Sequence, residues 1–104
     1  MSWIRACAVT EVPEGEAVCL AAGSCPIAVW NSGGEYIATA DICTHEEASL
    51  AENGYLDDGV IECGLHMARY DVRTGKALQF PAEIDLAVYP TKVQDGQVFV
   101  EVSS

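Results

Sequence analysis

A chain of 104 residues suffices for one domain with a modest core, so a bound metal can matter to its stability. Half of the residues are apolar, which excludes a disordered chain. Sixteen acidic residues against five basic ones leave a net charge of −11, which argues against nucleic acid or an anionic membrane as partner and fits docking on basic surfaces.

In chain order, Trp3 to Thr10 reads as a first strand, and Val12-Pro13-Glu14-Gly15-Glu16 as a turn. Ala17 to Ala22 is a second strand, turned by Gly23-Ser24-Cys25-Pro26 into a third at Ile27 to Trp30. Asn31-Ser32-Gly33-Gly34 signals a hairpin into a fourth strand, Tyr36 to Ala40. Glu46 to Glu52 has room for one helical turn, and Gly54 to Gly59 reads as polar turn. Val60-Ile61-Glu62 leads as a strand into Cys63, and Tyr70-Asp71-Val72 leads out again, with Thr74-Gly75 closing a turn. Leu86 to Val93 reads as one strand, Asp95-Gly96 as a tight turn and Gln97 to Val102 as the last strand. Many short strands with frequent turn signals predict an all-β domain. Trp3 and Trp30 read as core or core-edge residues.

No segment approaches the length of a membrane span, and the N-terminus lacks the pattern of a signal peptide. Of five cysteines, Cys7, Cys19 and Cys25 lie in apolar, strand-like surroundings and read as small buried residues of a reducing compartment. Cytoplasm is the expected location.

The chemistry concentrates between Cys43 and His66. The chain has only two histidines, and each follows a cysteine closely: Cys43-Thr44-His45, then 17 residues, then Cys63-Gly64-Leu65-His66. Two thiolates and two imidazoles offered from two loops make a four-ligand metal site. Zinc fingers of the Cys₂His₂ type put both cysteines in one pair and both histidines in the other. Here each pair is mixed, which suits a two-iron cluster whose one iron takes both cysteines and the other both histidines. A mononuclear zinc site with the same ligands, or buried thiols and surface histidines without metal, are the alternatives that the residues leave open.

The chain resembles the Rieske ferredoxins, most closely the small ones that feed electrons to bacterial aromatic-ring dioxygenases of the biphenyl and naphthalene type. The resemblance is carried by the two ligand motifs and by Arg69-Tyr70-Asp71-Val72-Arg73-Thr74-Gly75-Lys76. It extends more weakly to Val12-Pro13-Glu14-Gly15-Glu16 and Tyr89-Pro90-Thr91-Lys92-Val93. It implies a single Rieske domain over residues 1–104: a sandwich base of antiparallel sheets from 1–40 and 81–104, with a cluster-binding subdomain, 41–80, inserted between its strands. It implies one Rieske-type 2Fe–2S cluster, with Cys43 and Cys63 on one iron and His45 and His66 on the other. Thr44, Leu65, Met67, Ala68 and Tyr70 surround the ligands. The protein would carry electrons without acting as an enzyme, between an FAD-containing, NADH-dependent ferredoxin reductase and a terminal ring-hydroxylating oxygenase. It would be a monomer.

Two ferric ions, two sulfides and two thiolates with neutral imidazoles leave the oxidised cluster neutral, so histidine ligation raises its potential into the range of about −150 to +300 mV. In Rieske proteins of respiratory and photosynthetic complexes each ligand loop adds a cysteine, and the two form a disulfide. The matching positions here, Ala48 or Glu47 and Leu65, cannot form it. Ala68 stands where those proteins donate a serine hydroxyl to a sulfide. Fewer donors stabilise the reduced form less, which implies the low end of the range. The chain departs from the dioxygenase-ferredoxin pattern at Gly64, where proline is common, and at Met67, where glycine is common. Tyr70 either donates to a cysteine sulfur or packs under the loop.

Docking should use the tip bearing His45 and His66, with Leu65 and Met67 at its centre and Glu46, Glu47, Glu52, Asp57 and Asp58 at its rim. Two other functions are compatible with the residues: a fixed Rieske subunit of a larger oxidoreductase, such as a nitrite reductase small subunit, and a zinc-stabilised interaction module.

Overall fold

The computed structural model describes residues 2–22, 25–41, 50–63, 68–79 and 85–102. The described residues form three antiparallel sheets. Strand β1 (Ser2–Ala8) pairs with β11 (Gln97–Val102), which also pairs with β10 (Thr91–Gln94). The second sheet runs β2 (Ala17–Ala22), β3 (Cys25–Ser32), β4 (Glu35–Ala40) and β9 (Val88–Tyr89). The third comes wholly from the middle of the chain: β5 (Gly54–Asp57), β6 (Val60–Cys63), β7 (Arg69–Asp71) and β8 (Ala77–Gln79). A single helical turn, α1 (Leu50–Asn53), precedes it.

The second sheet lies between two cores, and this is why Ile27–Trp30 of β3 is apolar without interruption. Side chains alternate across a strand. Ile27 and Val29 therefore join Cys7, Val12, Ala38, Val98 and Val100 on the side of the first sheet. Ala28 and Trp30 join Leu50, Ile61, Tyr70, Val72 and Leu86 on the side of the third. A strand buried on both faces reads as an apolar run. Trp30 buries its indole and donates its Nε1–H to the Thr39 hydroxyl at 3.0 Å. Trp3 instead lies 40% exposed, its ring covered by the Lys92 ammonium 4.5 Å from the centroid.

The tight turns follow their residues. Asp95 and Gly96 both hold positive φ, 52° and 73°, and so do Asp58 and Gly59, 52° and 78°. Two successive left-handed residues form the type I′ turn whose twist matches a hairpin.

Four expectations are corrected. Gly54 to Asp57 is strand, not turn, because Leu56 packs against the inner core while Tyr55 faces out. Leu86 to Val93 is two strands in two sheets. Pro90 lies between them without an N–H to donate, and the chain switches there from β4 to β11 as partner. The first strand stops at Ala8, and Val9–Glu11 forms a 3₁₀ turn. Cys19 is exposed rather than buried, whereas Cys7 is buried as expected. Of the expected helical turn, Leu50–Asn53 is helical and 46–49 fall outside the described residues. The Cys25 side chain is likewise outside them.

Candidate metal centre

Cys43, Thr44, His45, Leu65, His66 and Met67 lie outside the described residues, as does the Cys63 side chain. The stems that carry them are described. The first ligand segment, 42–49, is flanked by Asp41 and Leu50. The Leu50 N–H donates to the Asp41 carbonyl at 2.6 Å, so the segment is closed at its base. Leu50 is fully buried, which anchors the exit of the segment in the inner core.

The second segment, 64–67, joins β6 to β7. The register pairs Ile61 with Tyr70 and Glu62 with Arg69 just below it. Cys63 ends β6 and pairs with Gly54, the first residue of β5. At Gly54 the two stems meet. A Cβ built there would stand 2.7 Å from the Leu50 carbonyl oxygen and 2.9 Å from that of Glu62. The exit of the first segment and the approach to Cys63 thus sit on either side of one glycine.

A polar ladder crosses the outer face of the second stem. The Tyr55 hydroxyl donates to Glu62 Oε2 at 2.9 Å and Arg69 Nε to Glu62 Oε1 at 2.8 Å, joining β5, β6 and β7. These two bonds, the tyrosine's first, hold the Glu62 carboxyl below the usual carboxylate range. The ladder, with Leu78 beside it, lines a shallow groove of about 560 Å³.

The inner face is apolar. Ala68 and Tyr70 are both fully buried, with Ile61, Leu50 and Trp30 in the same core. Ala68 brings no hydroxyl to the loop. Among the described residues no group of three His, Cys, Asp or Glu is placed to hold a metal ion. The four donors expected from the sequence, two soft thiolates and two imidazoles, are of a kind that fits an iron–sulfur cluster.

Asp57 and Asp58 lie at the far end of the β5–β6 hairpin from Cys63. Asp57 pairs with Val60 at the end of β5 opposite the Gly54–Cys63 pair, three residues or about 10 Å along the strand. There they share a hollow with Glu14, Gly15 and Gly33, turn residues of the base. Glu46, Glu47 and the Glu52 side chain lie outside the described residues.

Two residues at the bases of the candidate segments are not evident from local sequence pattern. Asp41 stands two positions before Cys43, where an aspartate favours a turn. Gly54 starts an alternating Tyr-Leu pair, where a glycine can mark close backbone approach.

A family profile of the Rieske 2Fe-2S domain matches residues 2–90. The biphenyl dioxygenase ferredoxin subunit of Pseudomonas sp. (strain KKS102) is 46% identical over 103 residues, 99% of this chain and 94% of its own. The solved structure of Sphingomonas yanoikuyae B1 ferredoxin superposes with a TM-score of 0.91 at 36% identity, covering 98% of this chain and 100% of that one. A ferredoxin solved in complex with the oxygenase of carbazole 1,9a-dioxygenase superposes with a TM-score of 0.88 at 37% identity, covering 94% of this chain and 91% of that one.

Proposed function

Because this chain belongs to the Rieske 2Fe-2S domain family, we propose that it works as the ferredoxin of an aromatic-ring dioxygenase system. It is an electron carrier rather than an enzyme, and one 2Fe–2S cluster is its cofactor. The observation that carries the reading is likeness to a dioxygenase ferredoxin subunit along nearly the whole of both chains. That likeness does not favour a fixed subunit of a larger oxidoreductase or a zinc module.

Thiolates of Cys43 and Cys63 would hold one iron, and imidazoles of His45 and His66 the other. When bound, the cluster supplies one-electron chemistry. The chain's own groups position it. The Asp41–Leu50 closure and the Glu62–Arg69 pair fix the bases of the two ligand segments. The core of Leu50, Ile61, Ala68 and Tyr70 keeps water from their inner side. Residues 41–80 act as the cluster-binding unit and 1–40 with 81–104 as the base of one domain.

Electrons come from an FAD-containing ferredoxin reductase and go to a terminal ring-hydroxylating oxygenase. The second assignment rests on the related ferredoxin held in a complex with its oxygenase. We assign it to the cytoplasm as a monomer, a location that suits the buried Cys7 thiol. Among the described residues no helix is long and apolar enough to cross a membrane.

The test is reconstitution. The purified protein should contain iron and acid-labile sulfide in equal amounts and show a Rieske electron-resonance signal on reduction. NADH with a flavoprotein reductase should reduce it, and a ring-hydroxylating oxygenase should reoxidise it. Zinc in place of iron, or reduction without onward transfer to any such oxygenase, would overturn the assignment.

A further inference from the structure

The third sheet presents two faces of opposite character. Its register lines up Leu56, Ile61, Tyr70 and Ala77 across all four strands, and these pack in the inner core. The neighbouring row, Tyr55, Glu62, Arg69 and Gln79, crosses the same strands on the outer side and lines the groove there. One residue of β8 is left over. Arg69 pairs with Gln79 and Tyr70 with Ala77, so Leu78 has no place in the ladder, as at a β-bulge. It stands 50% exposed on an edge strand, at one margin of the groove.

The opposite edge strand, β5, brings Tyr55 and Asp57 to the other margin, and Asp58 follows in the turn. Asp57, Asp58 and Glu62 against Arg69 leave the groove acidic. Glu62 is committed to the Tyr55 hydroxyl and to Arg69, whereas Asp57 and Asp58 enter no ion pair among the described residues. Three strand spacings, about 14 Å, separate the two margins.

An isolated exposed leucine is ordinary on a protein surface. A leucine turned out by an extra residue, across a groove from two unpaired carboxylates, fits a surface that brings a basic side chain and an apolar one. We propose that this groove docks the terminal oxygenase, taking an arginine or lysine side chain at Asp57 and Asp58 and an apolar side chain at Leu78. The proposal rests on the reading of the chain as a dioxygenase ferredoxin. The oxygenase is the fitting occupant, since a ferredoxin 37% identical to this chain forms a complex with one. Both electron partners are expected at the tip; the groove adds a contact that only the oxygenase uses. Such a short-range contact acts mainly on dissociation.

The experiment uses the full chain with its cluster, as wild type, Leu78→Lys, Leu78→Met and Val93→Lys. Val93 is 52% exposed on β10, an edge strand of the first sheet, so its variant makes the same change of charge away from the groove. Dissociation from immobilised oxygenase and from immobilised reductase is timed for each, with iron and sulfide content as the check on the cluster. Leu78→Lys should leave the oxygenase about tenfold faster than wild type, as loss of a central contact implies, and leave the reductase at the wild-type rate. Leu78→Met keeps an apolar side chain and should stay near the wild-type rate on both. Val93→Lys should match the wild type on both. Should Leu78→Lys fail to hold its cluster, Leu78→Ser takes its place with the same expectation. Equal rates for Leu78→Lys and Val93→Lys on the oxygenase, or faster loss from the reductase, would overturn the proposal. A wild type that binds no ring-hydroxylating oxygenase would instead sink the reading of its function.

Discussion

Gly54 and Cys63 face each other at the end of the β5–β6 ladder, and nothing larger than hydrogen fits at Gly54. Both oxygens that a Cβ would meet, those of Leu50 and Glu62, belong to backbone that leads out of or into a ligand segment. Neither can swing aside as a side-chain tip would. Gly54→Ala should therefore push the two stems apart. Overpacking of this kind costs about 1–3 kcal/mol, so Tm should fall by roughly 5 °C or more. Cluster content should fall with it. Calorimetry showing an unchanged Tm would mean that the stems are not in contact through this residue.

The ligand assignment predicts an all-or-none result. Replacing any one of Cys43, His45, Cys63 or His66 by alanine should abolish the cluster, because each supplies one of only two protein bonds to its iron. A His45→Ala protein with a full-yield Rieske signal would rule the assignment out.

Much of this architecture is visible in the residues, for physical reasons. The ligand pattern stands out because both histidines fall within it. Ile27 to Trp30 reads as strand because a strand buried on both faces has no polar interruption. Asp95-Gly96 reads as a turn because its conformation demands positive φ. The missed features depend on distant chain. Gly54 needs its space because Leu50 and Glu62 converge on it. Gly75 holds φ of 74°, and its N–H and carbonyl bond to Asp71 and Leu86, a tie between the third sheet and the returning chain that no local pattern announces. The edge strand β8 is three residues long, too short for periodicity to show.

Tyr70 is fully buried in the inner core. Tyr70→Phe keeps the ring and removes only the hydroxyl, so the fold and the cluster should survive. The potential should fall if the hydroxyl donates to the Cys43 sulfur and so favours the reduced state. Such a bond is worth about 1.5–3 kcal/mol, on the order of 60–130 mV for one electron. Voltammetry showing no change would mean that the hydroxyl does not act on the cluster.

Cys7 and Cys19 should differ sharply in reactivity. Burial pushes the Cys7 thiol up; Glu11 adds to this and Arg5 opposes it. Cys19 is exposed. Alkylation at pH 8 followed by mass spectrometry should modify Cys19 first, because Cys7 must wait for opening of its core. A raised folded pKa also stabilises the fold, fully below the unfolded thiol's pKa of about 8.5, and the contribution is lost as pH rises through the folded value. Stability should therefore decline on the alkaline side, less so in Cys7→Ala if that variant folds. Equal alkylation rates for the two thiols would contradict the burial of Cys7.

Acidic side chains should act on docking according to their distance from Cys63 along the hairpin. Both partners should meet the tip that carries His45 and His66, in a contact small enough to be released, below about 1,200 Å². Leu65 and Met67 would form its centre. With a net charge of −11, encounter should be aided by basic patches on the reductase and the oxygenase. Rim charges act mainly on the association rate and are screened over a Debye length of about 10 Å at 0.1 M salt. Glu46 and Glu47 directly follow His45, the proposed ligand, whereas Asp57 and Asp58 stand about 10 Å along the hairpin from the Gly54–Cys63 pair. The two acidic pairs should then behave differently. Electron transfer to the oxygenase should slow with rising ionic strength in the wild type. Glu46→Gln with Glu47→Gln should flatten that dependence, while Asp57→Asn with Asp58→Asn should leave most of it in place. Equal flattening by both double variants would show that only total charge matters. A rate flat with salt in the wild type would remove steering altogether and leave recognition to Leu65 and Met67.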